Sequence, residues 1–159
     1  MKKLVILLCM GAFIAACGGS SEKSAAPAET PSAEPAKAAN GNPSYDPERG
    51  EGKFKDVAIA EKLDATMAAE GEKVFTVKCV SCHKLTSEKL VGPGWLGVTE
   101  RHSAAWIMNF TTNTDAMLDK DPKAQAQLEI CLVRMPNQNI ADNDARNLYE
   151  FMRKNDGIK

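Results

Sequence analysis

The chain has 159 residues, with 20 basic and 21 acidic side chains and a formal charge of −1. Once its N-terminal third is set aside, about 100 residues remain, enough for one small domain but not two. The balance of charge offers no basic surface, so nothing points to a nucleic-acid partner.

The chain opens with Lys2 and Lys3 and then runs from Leu4 to Ala16 without a charge, the profile of a secretory signal. That run is too short to cross a bilayer as a permanent helix. It ends in "IAAC", which resembles the lipobox of bacterial lipoproteins. The resemblance implies that residues 1–16 are removed and that Cys17 is lipidated and becomes the first residue of the mature chain. Each buried acyl methylene contributes roughly 0.8 kcal/mol, so more than one chain makes a stable membrane anchor. The expected location is therefore the cell envelope, on a membrane and facing the periplasm. Without Lys2 and Lys3 the mature chain carries 18 basic against 21 acidic residues, a formal charge of −3.

Residues 17–55 read as a tether. The stretch "SAAPAETPSAEPAKAANGNPS" has almost nothing large and apolar to bury, so it cannot offset the entropy cost of ordering. A coil of about 35 residues has an end-to-end distance of roughly 30–35 Å. Residues 56–159 then form the folded domain.

Within that domain Leu63, Met67, Gly71, Val74 and Phe75 fall on one face at helical spacing. The helix leads into "CVSCH", with Cys79, Cys82 and His83 in one short run. An odd number of cysteines, with Cys131 the third, argues against a disulfide framework in an oxidising compartment. A structural zinc site wants four Cys or His ligands, and the domain has only His83 and His102 beside these cysteines. A thioredoxin-like pair would follow a strand, whereas the residues before Cys79 have helical spacing. The reading that remains for C-x-x-C-H is covalent attachment of a c-type haem, one per chain, with iron at its centre. Two thiols on one turn add across the two vinyl groups of a porphyrin edge, and His83 then lies beneath the iron as a ligand.

Further along, Gly92, Pro93 and Gly94 in "VGPGWLGV" mark a turn. "SAAWIMNF", with Ser103 as N-cap, and "DPKAQAQLEICLV", with Pro122 in the first turn, read as helices. "TDAMLDKD", carrying Met117, reads as a loop between them, and Met108 beside Trp106 reads as core. Ala141, Ala145, Leu148, Phe151 and Met152 form the apolar face of a terminal helix. No alternating strand pattern appears. The expected fold is all-α, about four or five short helices packed on the haem, which supplies apolar core that so small a domain otherwise lacks.

These motifs, in this order over about residues 64–154, resemble the class I monohaem c-type cytochromes. The resemblance implies that Gly71 and Phe75 of the first helix meet Leu148 and Phe151 of the last. It implies that Met135, before Pro136 and just ahead of the terminal helix, is the second axial ligand, with Met117 the rival. A thioether opposite the imidazole raises the haem potential and closes the iron to substrates. It further implies that the Pro93 carbonyl accepts from the free imidazole N–H of His83, which fixes ring orientation. Trp95 and Leu96 both remain candidates for packing on the ring.

Three residue sets carry competing readings. His102, in the charged stretch "TERHSAAW", reads as a solvated surface histidine rather than a distal base. Cys131 reads as an inert buried cysteine among Ile130, Leu132 and Val133. Lys73, Lys78, Lys84 and Lys89 crowd the attachment region, either as ordinary surface or as steering for an acidic partner. The function that follows is a membrane-anchored electron carrier with His83/Met135 ligation and no catalytic residues. Its partners are redox proteins, a quinol-oxidising complex on one side and a terminal oxidase or nitrous oxide reductase on the other, by resemblance to small monohaem cytochromes. A peroxidase or a haem-based gas sensor are the alternatives if the distal methionine is labile or absent.

Overall fold

The computed structural model describes residues 45–159. The expected signal segment, Cys17 and the tether up to residue 44 lie outside the described residues. Among the described residues all regular structure is helical: α1 (Ala65–Lys78), α2 (Val98–Arg101), α3 (Ala104–Thr112), α4 (Thr114–Lys120), α5 (Pro122–Cys131) and α6 (Asp142–Asn155). The all-α expectation holds, with six helices rather than four or five. The short α2 and α4 account for the difference. Among the described residues no helix is long and apolar enough to cross a membrane.

Local chemistry sets the helix starts. Asp64 caps α1 by accepting from Met67 N, Ser103 caps α3 by accepting from Trp106 N, and Asp121 caps α5 by accepting from Ala124 N with Pro122 at the first position. Asn113 links α3 to α4 and its side chain does not cap the latter. This removes the loop expected around Met117.

The first and last helices cross at Gly71, where an added Cβ would press into the backbone of Asn147 and approach Leu148 N to 2.9 Å. Only a residue without a side chain permits that approach. Beside the crossing, Phe75 and Phe151 have ring centroids 5.4 Å apart, and Leu148 is buried. Burying such side chains contributes roughly 1.5–3 kcal/mol each. Glu150, also fully enclosed, is held by Arg146 at 2.6 Å and Arg153 at 2.9 Å, and Arg153 in turn donates to the carbonyls of Ala60 and Glu61. Removing Glu150 would leave the buried Arg153 without its counter-charge.

Residues 45–55, expected to end the tether, are instead part of the domain. Asn109 Nδ2 donates to the carbonyls of Arg49 and Phe54, and Phe54 N donates back to Asn109 Oδ1, each at 2.9 Å. Glu51 N donates to the Met117 sulfur, and the Tyr45 hydroxyl donates to Asp121. This strap is held chiefly through its backbone by one buried amide. Composition, which registers only apolar side chains, therefore gave no sign of it.

Candidate functional site

The end of α1 turns sharply. Cys79 N and Val80 N both donate to Phe75 O, and Cys82 N and His83 N both donate to Cys79 O at 3.0 Å. Val91 N and Gly92 N then donate to Cys82 O, at 3.2 and 2.9 Å, bringing the glycine-proline turn back over the cysteines. Both cysteines are free thiols. Burial pushes the Cys79 thiol up to about 11, against the lowering effect of Lys78, so it stays protonated near neutral pH.

His83 Nδ1 donates to Pro93 O at 2.9 Å. With the proton on Nδ1, the Nε2 lone pair is left free for a metal. Burial lowers the His83 pKa despite this bond, which also favours the neutral, ligating form. The imidazole is boxed in: a Cβ on Gly92 would come within 2.8 Å of Nδ1, and Trp95 lies 5.5 Å away, itself 4.8 Å from Phe75. Trp95 is buried and Leu96 is half exposed, although both line the cavity that the imidazole faces.

That cavity has a volume of about 370 Å³ and is lined by His83, Pro93, Trp95, Ile107, Phe110 and Met152 among others. A second, of about 90 Å³, is lined by Cys82, Leu118, Leu128 and Val133. His83, Pro93, Phe110, Gln127, Cys131 and Met135 line both. The larger space falls in the range of sites for cofactor-sized molecules, roughly 300–1,000 Å³, apolar with a few placed polar groups.

The structure brings His83, Pro93 and Met135 to both cavities and Cys82 to the smaller one, while Cys79, buried at the end of α1, and Met117 line neither. Met117 is fully buried in α4, packed against Gly50, with its sulfur accepting from Glu51 N at 2.9 Å. Met108 is core, as expected.

Two expectations are corrected. His102 is not solvated: it is 8% exposed, stacked on Trp106 at 3.9 Å, and lines the larger cavity. Burial, with Lys123 and Arg101 nearby, lowers its pKa to about 4. The stretch looked polar because Glu100 and Arg101 belong to the exposed α2, while His102 follows it and turns onto α3. Cys131 is only partly buried, and Ile130, Leu132 and Val133 beside it are 69%, 84% and 53% exposed. The apolar run reads as core in the sequence, yet here it forms part of the rim of the cavity. The lysines are spoken for locally: Lys73 pairs with Glu70 and Lys84 with Glu88, while Lys78 and Lys89 donate to the carbonyls of Gln138 and Ile130.

Residues 68–156, more than half of the chain, match the family described as cytochrome c. The chain belongs to the cytochrome c family. Its fold is similar to the solved structure of a cytochrome c from Rhodothermus marinus, at 30% identity and a TM-score of 0.64 over 66% of this chain and 90% of that one. An engineered Rhodothermus marinus cytochrome c gives 29% identity and a TM-score of 0.66, over 70% of this chain and 98% of that one. The same engineered protein has been solved bound to a carbene intermediate, at 29% identity and a TM-score of 0.63 over 70% of this chain and 98% of that one. No curated protein matches the chain.

Members of this family carry covalently attached haem c and transfer electrons through its iron. The residues present fit that group: two free thiols flank a tight turn, a neutral imidazole has its Nδ1 proton engaged, and an apolar cavity lies before them. Sequence reasoning missed His102 and Gln127 as cavity residues. The signal that would have found them is helical register: Trp106, Phe110 and Gln127 fall on the inward faces of α3 and α5.

Proposed function

We propose that the chain is a lipid-anchored monohaem electron carrier in which His83 and Met135 are the axial ligands. The observation that carries this reading is that Met135 and His83 line the same two cavities, whereas Met117 lines neither. When bound, haem c supplies a one-electron Fe(II)/Fe(III) couple. The Pro93 carbonyl holds the His83 ring and its tautomer, and Trp95, Ile107, Phe110 and Met152 keep water from the iron's surroundings. With Met135 as its sulfur donor, the iron would have a raised potential and would be closed to substrates. Anchoring through Cys17 keeps the domain among membrane redox partners, with a quinol-oxidising complex as donor and a terminal oxidase or nitrous oxide reductase as acceptor.

Replacing Met135 with Ala tests the assignment. The haem stays attached, the weak sulfur-ligand band near the red edge of the oxidised spectrum disappears, the potential falls, and cyanide or carbon monoxide binds readily. Retention of that band in Met135→Ala would remove Met135 from the iron.

A second reading, a gas-sensing haem protein, is favoured by one feature. Residues 133–140, which carry Met135, make no backbone–backbone hydrogen bond among the described residues. Rapid binding of carbon monoxide by the unmodified protein would select that reading over the carrier.

A further inference from the structure

Among the described residues only two buried side-chain polar atoms lack a hydrogen-bond partner, Arg49 Nε and His102 Nδ1. Arg49 belongs to the strap, but His102 lines the larger cavity. A buried donor without an acceptor costs about 1–3 kcal/mol, so a group belonging in that space is the natural partner.

The tautomer of His102 follows from its other nitrogen. Gln127 Nε2 lies 3.0 Å from His102 Nε2. An amide N–H only donates, so Nε2 accepts and the neutral imidazole carries its proton on Nδ1. The ring plane is fixed by stacking on Trp106, with 12° between the planes. Trp106 is itself pinned by donating Nε1–H to Asp121 at 3.1 Å.

Direction along the site supplies the second half of the argument. Cys82 lines the smaller cavity and not the larger, His102 lines the larger and not the smaller, and the residues common to both lie between. A haem has its vinyl groups toward one edge and its two carboxylates at the other, so attachment at the cysteines sends the carboxylates toward the His102 end. Of the other donors on this cavity, the Thr111 hydroxyl is spent on the carbonyls of Ile107 and Met108, while Arg101 donates to those of Leu96 and Gly94 and keeps further N–H groups.

We propose that His102 Nδ1–H donates a hydrogen bond to a carboxylate of the haem, with Gln127 fixing the tautomer and Trp106 the ring plane. His102 is thus a positioning residue for the cofactor. Lys123 and Arg101, which oppose a proton on this imidazole, favour an anion beside it, and Asp121 and Glu48 act in the opposite sense. Asp121 is engaged by Trp106, Tyr45 and Ala124 N. The proposal rests on the family's haem and is independent of Met135 and of the lipid anchor.

The test uses the holoprotein with its haem carboxyl carbons labelled with carbon-13 from labelled 5-aminolevulinate. The infrared band of the ionised carboxylate is followed against pH in the unmodified protein, His102→Phe and Gln127→Leu. Phe retains the stack on Trp106 but has no N–H. In His102→Phe the labelled band shifts, and the pH at which it is lost rises by about 1 unit, because a hydrogen bond to the charged form no longer favours it. Gln127→Leu moves it the same way by less. An unmoved labelled band in His102→Phe overturns the proposal, and is also the outcome if the acceptor is a buried water. Should His102→Phe fail to mature, nitrogen chemical shifts of His102 in the reduced unmodified protein decide. A proton on Nδ1 with bare Nε2 supports the proposal, and a proton on Nε2 overturns it. Intact haem attachment and the sulfur-ligand band in each variant separate this result from a failure of the carrier reading.

Discussion

The two segments that bring His83 and Met135 to the haem cavity are built in opposite ways. The stretch from Cys79 to Gly97 is stitched to itself, with backbone bonds from Cys82, His83, Val91, Gly92, Trp95 and Leu96 closing a series of turns. It is also bonded to the end of α6: Asp156 accepts from Gly97 N, Thr99 N and Thr99 Oγ1, and Asn155 donates to Leu85 O. The stretch from Leu132 to Ile140 hangs between two helices by side chains. Arg134 donates to Asp119 at 2.8 Å, Lys78 to Gln138 O at 2.9 Å, and Asn139 N to Asn137 Oδ1. Its backbone begins at Leu132 with φ of 61°. An imidazole fixed by covalent neighbours and main-chain bonds faces a segment whose position depends on packing. Opening free energies follow such differences in local bonding, so the segment carrying Met135 should open more readily than the stitched one.

The largest effect falls on the stitched side. Cys79→Ser with Cys82→Ser removes covalent haem and with it much of the core, so the doubly substituted domain should be largely unfolded. Circular dichroism and a haem stain after denaturing electrophoresis check this. A folded, soluble, haem-free domain would break the comparison, since the stitched loop would then stand without its cofactor.

Gly92→Ala should act directly on the His83 ring while leaving the haem attached. The new methyl presses on the His83 ring, which Pro93 and Trp95 prevent from retreating. Overpacking of this kind typically costs about 1–3 kcal/mol. The ligand field should change too, visible as a shift in the oxidised spectrum. An unchanged spectrum with unchanged stability would mean that the near side yields as readily as the far one.

The near side was also the more legible of the two. The glycine-proline turn and the apolar faces of α1 and α6 are local signals, and the structure answers them directly, with Pro93 O on the His83 ring and Gly71 against Leu148. The features that escaped are decided by tertiary contact. Asn109 organises the strap over residues 49–54, yet an asparagine within an apolar helix announces no partner. His102 is buried because the exposed turn of α2 ends just before it. Ile130, Leu132 and Val133 have core chemistry but lie at the end of α5, where the chain leaves the bundle. Hydropathy reports what a residue prefers, and here the course of the backbone overrides it.

Met117→Ala probes the far side through its support. Met117 is enclosed between α4 and the strap, so truncation should cost about 2–5 kcal/mol by the usual large-to-small penalty. It should leave the sulfur-ligand band in place, because Met117 lines neither cavity. Chemical denaturation of the holoprotein gives the first quantity and its oxidised spectrum the second. Loss of the band would mean that the strap and α4 hold the far segment more tightly than its own hydrogen bonds suggest.

The smallest effect is a gain. Leu132 sits in the left-handed region, where a side chain costs roughly 1–2 kcal/mol, and is 84% exposed, so its apolar atoms recover little by burial. Glycine adopts that conformation without strain but adds freedom to the unfolded chain, and the two effects partly cancel. Leu132→Gly should therefore stabilise the holoprotein by about 0.5–1 kcal/mol, read as a higher denaturation midpoint at unchanged slope. The direction is the informative part. A rise says that the far segment starts from a strained residue whose side chain holds nothing, so the weak bonding of residues 133–140 is its whole support. A fall says that Leu132 is covered once the haem is in place, and the contrast between the two sides then narrows to their hydrogen bonds.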